Sequence, residues 1–167
     1  MIHLRAGREA VDPAVYPDID EFWADLCAAY RAEIAALAAA GCTYLQIDDV
    51  SFAYLCDEDM RRSMHALGDD PAAVLDLYAR LINEVVKDRP LGMTVAVHMC
   101  RGNFKSSWVA AGGYEPVAET VFNRMDVDAF FLEFDSDRAG GFEPLRFLPK
   151  EKIVVLVTTK KIGRAHV

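Results

Sequence analysis

His98 and Cys100 stand two residues apart at the end of the apolar run from Thr94 to Met99. A strand turns residues two apart to the same face, so this imidazole and this thiol project together, with Thr94 and Ala96 behind them. Glu133 closes the run from Val127 in the equivalent place, above Ala129 and Phe131. Nitrogen, sulfur and one carboxylate make a zinc-type donor set, softer than the all-oxygen cages of magnesium or calcium. Thiolate ligands donate electron density to such a metal, so a thiol substrate can lose its proton near neutral pH and stay nucleophilic. The chemistry expected of the set is S-alkylation.

Asp48 ends a third run, with Tyr44 and Gln46 on its face, and is placed to hold a substrate ammonium group. Arg101 and Asn103 follow the His–Cys pair in a loop and are candidates to clamp a substrate carboxylate. No catalytic acid or base is singled out. Each of these residues also has an ordinary reading, as a packing pair, a polar strand end or a solvated loop cation. Position favours the functional one: Asp48, His98, Cys100 and Glu133 fall at C-terminal ends of separate strands, the active face of a parallel α/β barrel. His3 and His65 have no evident partner, and the stretch from Asp135 to Arg138 reads as a charged surface loop.

The elements that position these residues follow from periodicity. Ile19, Phe22, Trp23, Leu26, Tyr30, Ile34 and Leu37 recur at three- and four-residue steps, predicting a helix of about five turns. Asp18 with Glu21 marks its start and Gly41 its stop. Thr43 to Ile47 is strand-forming and ends in Asp48 and Asp49. Asp57 to Leu67 suits a short polar helix, and Asp70 with Pro71 opens a long one carrying Val74, Leu75, Tyr78, Leu81, Ile82 and Val85. Thr94 to Met99 is a buried strand, Pro116 starts a third helix, and Val127 to Glu133 and Ile153 to Val157 are two more strands. Helix and strand alternate without a hairpin signal, the pattern of a parallel α/β fold. A Gly-rich phosphate turn after the first strand would favour an open dinucleotide-binding sheet, but Asp48, Asp49, Val50 and Ser51 stand there.

Composition sets the outer bounds. The 167 residues are 53% hydrophobic and 26% charged with a net charge of -8, a balance that excludes a disordered chain and one built to neutralise nucleic-acid phosphates. No apolar run approaches the roughly 20 residues of a membrane span. Four cysteines without a disulfide-type spacing point to a reducing cytoplasm.

Taken together, these residues resemble the zinc-dependent, cobalamin-independent methionine synthase family, in its catalytic C-terminal barrel and its short single-barrel relatives. YLQIDD from Tyr44 to Asp49 resembles the strand that ends in the homocysteine-binding Asp, HMC from His98 to Cys100 matches the paired zinc ligands, and Glu133 in FFLEFD resembles the third. The resemblance covers roughly residues 15 to 160. It implies a (β/α)8 barrel in which zinc, held by His98, Cys100 and Glu133, binds homocysteine through sulfur and methionine forms by methyl transfer from a methyl-folate or methyl-corrinoid donor. Asp48 would bind the ammonium.

There are departures. Asp48, Asp49 and Val50 replace the usual Asp-Glu-Pro, the gap from Cys100 to Glu133 is long, and Val157 to Lys160 offer no folate-assisting His. A second Cys ligand is expected from a later strand beyond this chain. Residues 1–161 are therefore expected to form an incomplete barrel and residues 162–167, including His166, a foreign tail. An unpaired edge near Val154 would then favour self-association. The competing readings are a metal-free lyase of the uroporphyrinogen-decarboxylase type on a similar barrel, which would want a basic pocket, and an inactive fragment.

Overall fold

Asp18 caps helix α1, Ile19–Ala39, by accepting a hydrogen bond from the Asp20 amide at 2.9 Å, which satisfies an otherwise orphaned donor. Gly41, at φ 95°, supplies the left-handed turn that ends it. The computed structural model describes residues 11–102 and 109–157. Strand β1, Tyr44–Asp49, follows, then α2, Ser51–Cys56, and α3, Glu58–Ala66, capped by the Asp57 carboxylate. Helix α4, Pro71–Val86, has Pro71 in its first turn and Asp70 as cap. Strand β2 is Thr94–Met99, α5 is Glu115–Arg124, β3 is Ala129–Glu133 and β4 is Ile153–Val157. Two 3-10 turns, Asp137–Ala139 and Glu143–Phe147, lie between β3 and β4.

The four strands form one parallel sheet in the order β1-β2-β3-β4. Alternation sorts its two faces. Val95, Val97, Met99, Phe130 and Leu132 join Phe52, Tyr78, Val86, Val121 and Phe122 from the helices in one core. The Phe122 and Phe130 rings meet edge to face at 5.1 Å between centroids. On the other face Tyr44, Gln46 and Asp48 are exposed, as are Ile153 and Val155 at 59% and 37%. The exposed apolar residues of β4 thus belong to this second face, whereas Val154 and Leu156 pack on the core.

The expected helices and strands are present within a residue or two, and one helix and the two 3-10 turns were not expected. Helix α2 has no counterpart in the sequence reading: SFAYLC is too short and too uniformly apolar to show a period, and all six residues are buried. Asp49 caps it through Oδ1, which accepts from the Phe52 amide at 3.0 Å. Gly112 then crosses behind α2 so closely, at φ 127°, that a Cβ there would lie 2.3 Å from the Cys56 carbonyl oxygen. Asn103, His3 and residues 162–167 with His166 lie outside the described residues.

Candidate functional site

Strand register places the candidate residues. Asp48 pairs with His98 across β1 and β2, and Glu133, the last residue of β3, lies one step beyond the Met99–Leu132 pair. The His98 imidazole therefore sits between two carboxylates. Its Nδ1 is 3.3 Å from Asp48 Oδ1 and its Nε2 is 3.4 Å from Glu133 Oε1. The hydrogen bond to Glu133 and the charge of Asp48 hold the His98 pKa above the usual imidazole range, against the opposing effect of burial. Asp48 is anchored by Gln46, whose amide donates to Oδ1 at 2.8 Å, and Gln46 accepts from the Tyr44 hydroxyl at 3.2 Å. The alternating face of β1 is thus a polar ladder that ends at the site.

Glu133 is buried and held from several sides. The Tyr114 hydroxyl accepts from the Glu133 amide at 2.9 Å and donates to the Glu133 carbonyl at 3.2 Å. Burial pushes the Tyr114 pKa up to about 12, so the phenol stays protonated and able to donate. Arg138 reaches Glu133 Oε2 at 3.3 Å and makes a fork to Asp135, Nε to Oδ1 at 3.1 Å and Nη2 to Oδ2 at 2.8 Å. The stretch from Asp135 to Arg138 is therefore not simply a charged surface loop. Ser136 and Asp137 are exposed, but the Arg138 side chain is only 5% exposed and turns inward. Neither Tyr114 nor Arg138 stood out in the sequence, because each acts on Glu133 through a tertiary contact that no periodicity announces.

Cys100 lies one residue past β2, partly exposed, and its amide extends the β1–β2 ladder by donating to the Asp49 carbonyl at 2.8 Å. Among the described residues no three His, Cys, Asp or Glu side chains converge closely enough to hold a metal: the structure brings His98 and Glu133 together, while Cys100 is near them in sequence and does not complete a trio. Two ligands at roughly 2.0–2.2 Å from a tetrahedral zinc lie about 3.4 Å from one another. The His98–Glu133 pair has this spacing, and its nitrogen and oxygen are donor types that zinc takes.

Arg101 is fully buried against Tyr114, its guanidinium carbon 4.5 Å from the ring centroid, and none of its nitrogens has a hydrogen-bond partner among the described residues. Asp49 points away from Asp48, and burial raises its pKa against the hydrogen bond from Phe52. Burial pushes the Cys56 thiol up to about 12, with Arg101 and Arg61 opposing, which leaves it unreactive. A cleft of about 210 Å³ opens between α1, β1 and α4, with Asp48 at its rim and Trp23, Tyr30 and Tyr78 in its wall.

The parallel α/β layer carries an imidazole, a thiol and a buried carboxylate at or just past its strand ends, and comparison with known proteins gives its class. Residues 13–156 match the model of the cobalamin-independent synthase family, catalytic domain, and the chain belongs to that family. It is 43% identical over 157 residues to the uncharacterized protein YxjH of Bacillus subtilis (strain 168), covering 93% of this chain and 42% of that protein. YxjG of the same organism is 41% identical over 148 residues, covering 87% and 39%. Among solved structures, the "Putative Vitamin-B12 Independent Methionine Synthase" from Listeria monocytogenes superposes with a TM-score of 0.68 at 35% identity, over 93% of this chain and 43% of that one. The chain spans about two fifths of the length of the proteins it matches. Among the described residues no helix is long and apolar enough to cross a membrane.

Proposed function

We propose that the chain contributes four neighbouring strands of a (β/α)8 barrel and the greater part of the metal site of a zinc-dependent methyltransferase, one that passes a methyl group to the thiol of homocysteine to give methionine. The observation that carries this reading is the 3.4 Å approach of His98 Nε2 to Glu133 Oε1 from two different strands. Zinc held by His98, Cys100 and Glu133, with a further cysteine from a later strand, would supply the Lewis acidity that lets a thiol substrate ionise near neutral pH.

The chain's own residues do the rest. Asp48, by accepting a hydrogen bond from His98 Nδ1 at 3.3 Å, would leave the Nε2 lone pair for the ion, the carboxylate–histidine arrangement that orients metal ligands. Its side chain is 70% exposed, which leaves carboxylate oxygen free for a substrate ammonium group. Arg101, whose buried guanidinium has no hydrogen-bond partner among the described residues, and Asn103 beyond it are the groups proposed for the substrate carboxylate. The methyl donor is a methyl-folate or a methyl-corrinoid, and four free cysteines suit a cytoplasmic setting.

Zinc content tests the proposal. The chain is expected to bind zinc, and Cys100→Ser and Glu133→Ala are each expected to lose it. Full retention in both variants would refute the metal site, and with it the choice of this reading over a metal-free lyase.

A further inference from the structure

We infer that Arg138 is a positioning residue for Glu133, taking up carboxylate oxygen Oε2 so that Oε1 is left turned toward His98. This rests on the functional reading above, in which Glu133 is a metal ligand. A carboxylate on a strand end can rotate and can grip an ion through one oxygen or through two. Here Oε2 is 3.3 Å from Arg138 Nη2, while Oε1 is 3.4 Å from His98 Nε2. The two oxygens have different partners, which fixes the rotation of the group and favours attachment through one of them.

Arg138 is itself immobilised. Its fork to Asp135 uses Nε and Nη2, a planar two-point contact that an ammonium group cannot reproduce. Its carbonyl accepts from the Gly112 amide at 2.8 Å, and a Cβ on Gly140 just beyond would sit 3.0 Å from the Gly113 Cα. The 3-10 turn that carries Arg138 is thus clamped to the loop leading into α5, the same loop that delivers Tyr114 to the Glu133 backbone.

Charge decides the direction of the effect. A bare guanidinium this close to a metal ligand would repel a dication. Asp135 faces it at 2.8 Å and, at 16% exposure, is poorly screened by solvent, so the pair is close to neutral toward the site. What remains is the directional bond to Oε2, and its removal frees the ligand instead of relieving a repulsion. Loss of Arg138 should therefore weaken metal binding, by the ~10–100-fold typical of groups that orient metal ligands.

The test uses the full chain titrated with cobalt(II) alone, followed by sulfur-to-cobalt charge-transfer absorption and by the visible bands that report coordination geometry. Arg138→Met is expected to raise the Kd ~10–100-fold and to change the visible bands. Arg138→Lys is the second variant, which retains the charge facing Asp135. It should fall between Arg138→Met and the parent in affinity, whereas a purely structural ion pair would be restored by the lysine and leave the spectrum unchanged. Parent-like affinity and spectrum in Arg138→Lys, or in a folded Arg138→Met, would overturn the inference alone. Cobalt binding that Glu133→Gln leaves untouched, or no binding by the parent chain, would overturn the functional reading and the inference with it.

Discussion

Removing a single oxygen from Tyr114 isolates the support of Glu133. In Tyr114→Phe the ring stays beneath the Arg101 guanidinium, so the packing at 4.5 Å is preserved and only the hydroxyl is lost. That hydroxyl accepts from the Glu133 amide at 2.9 Å and donates to the Glu133 carbonyl at 3.2 Å, both in the interior. A buried N–H left without a partner costs about 1–3 kcal/mol, and the bond to the carbonyl contributes about 0.5–1.5 kcal/mol more, so the variant should be less stable by about 1.5–4.5 kcal/mol. With a urea slope of about 2 kcal/mol/M, the unfolding midpoint should fall by about 1–2 M. Amide exchange at Glu133 should accelerate in the same variant at least as much as that of Val97, at the centre of the neighbouring strand, whose exchange reports the loss of global stability. A midpoint shift below ~0.3 M with Glu133 exchange unchanged would refute the reasoning, because it would mean the hydroxyl is not satisfying that amide.

Three further outcomes follow from other parts of the molecule. Phe52→Ala should destabilise the chain by about 3–5 kcal/mol in chemical denaturation, because Phe52 is fully buried in the first turn of α2 and its removal leaves a cavity; a loss under 1 kcal/mol would show α2 to be peripheral. Asp49 has a folded-state pKa raised by burial, so folding favours its protonated form and that contribution is lost as the pH climbs through the raised value. Asp49→Asn keeps the oxygen that caps α2, and its stability relative to the parent should grow from about pH 4 upward, whereas a difference that shrinks over that range would contradict the assignment. The apolar residues Ile153 and Val155 on the open sheet face should drive concentration-dependent association, relieved by Ile153→Lys; a sharp, monomeric, cooperative melt of the parent at micromolar concentration would count against this.

The fold was legible wherever burial imposes a period. Thr94–Met99 and Ile153–Val157 match the expected strands, and α1 and α4 match their apolar stripes with the expected caps at Asp18 and Asp70. Helix α2 was not legible, since six buried residues in under two turns leave no polar face to mark a helix. At the site, alternation along β1 and β2 was enough to put Asp48 and His98 on one face, and strand ends put Glu133 beside them. The supports of Glu133 were not, because the Arg138 and Tyr114 contacts depend on how two loops dock. Arg138 in particular sits in a stretch whose composition is that of a solvated loop.

The imidazole and the carboxylate that meet at 3.4 Å are separated along the chain by the whole of α5 and the loop before it, and Asp48 is separated from both by α2, α3 and α4. No locally formed segment can bring them together, so their encounter belongs to the late, non-local stage of folding. During synthesis the nascent polypeptide would carry these groups as isolated, weakly binding side chains until β3 docks. The approach of His98 to Glu133 would then act as a timing mark, registering that the middle of the sheet has closed.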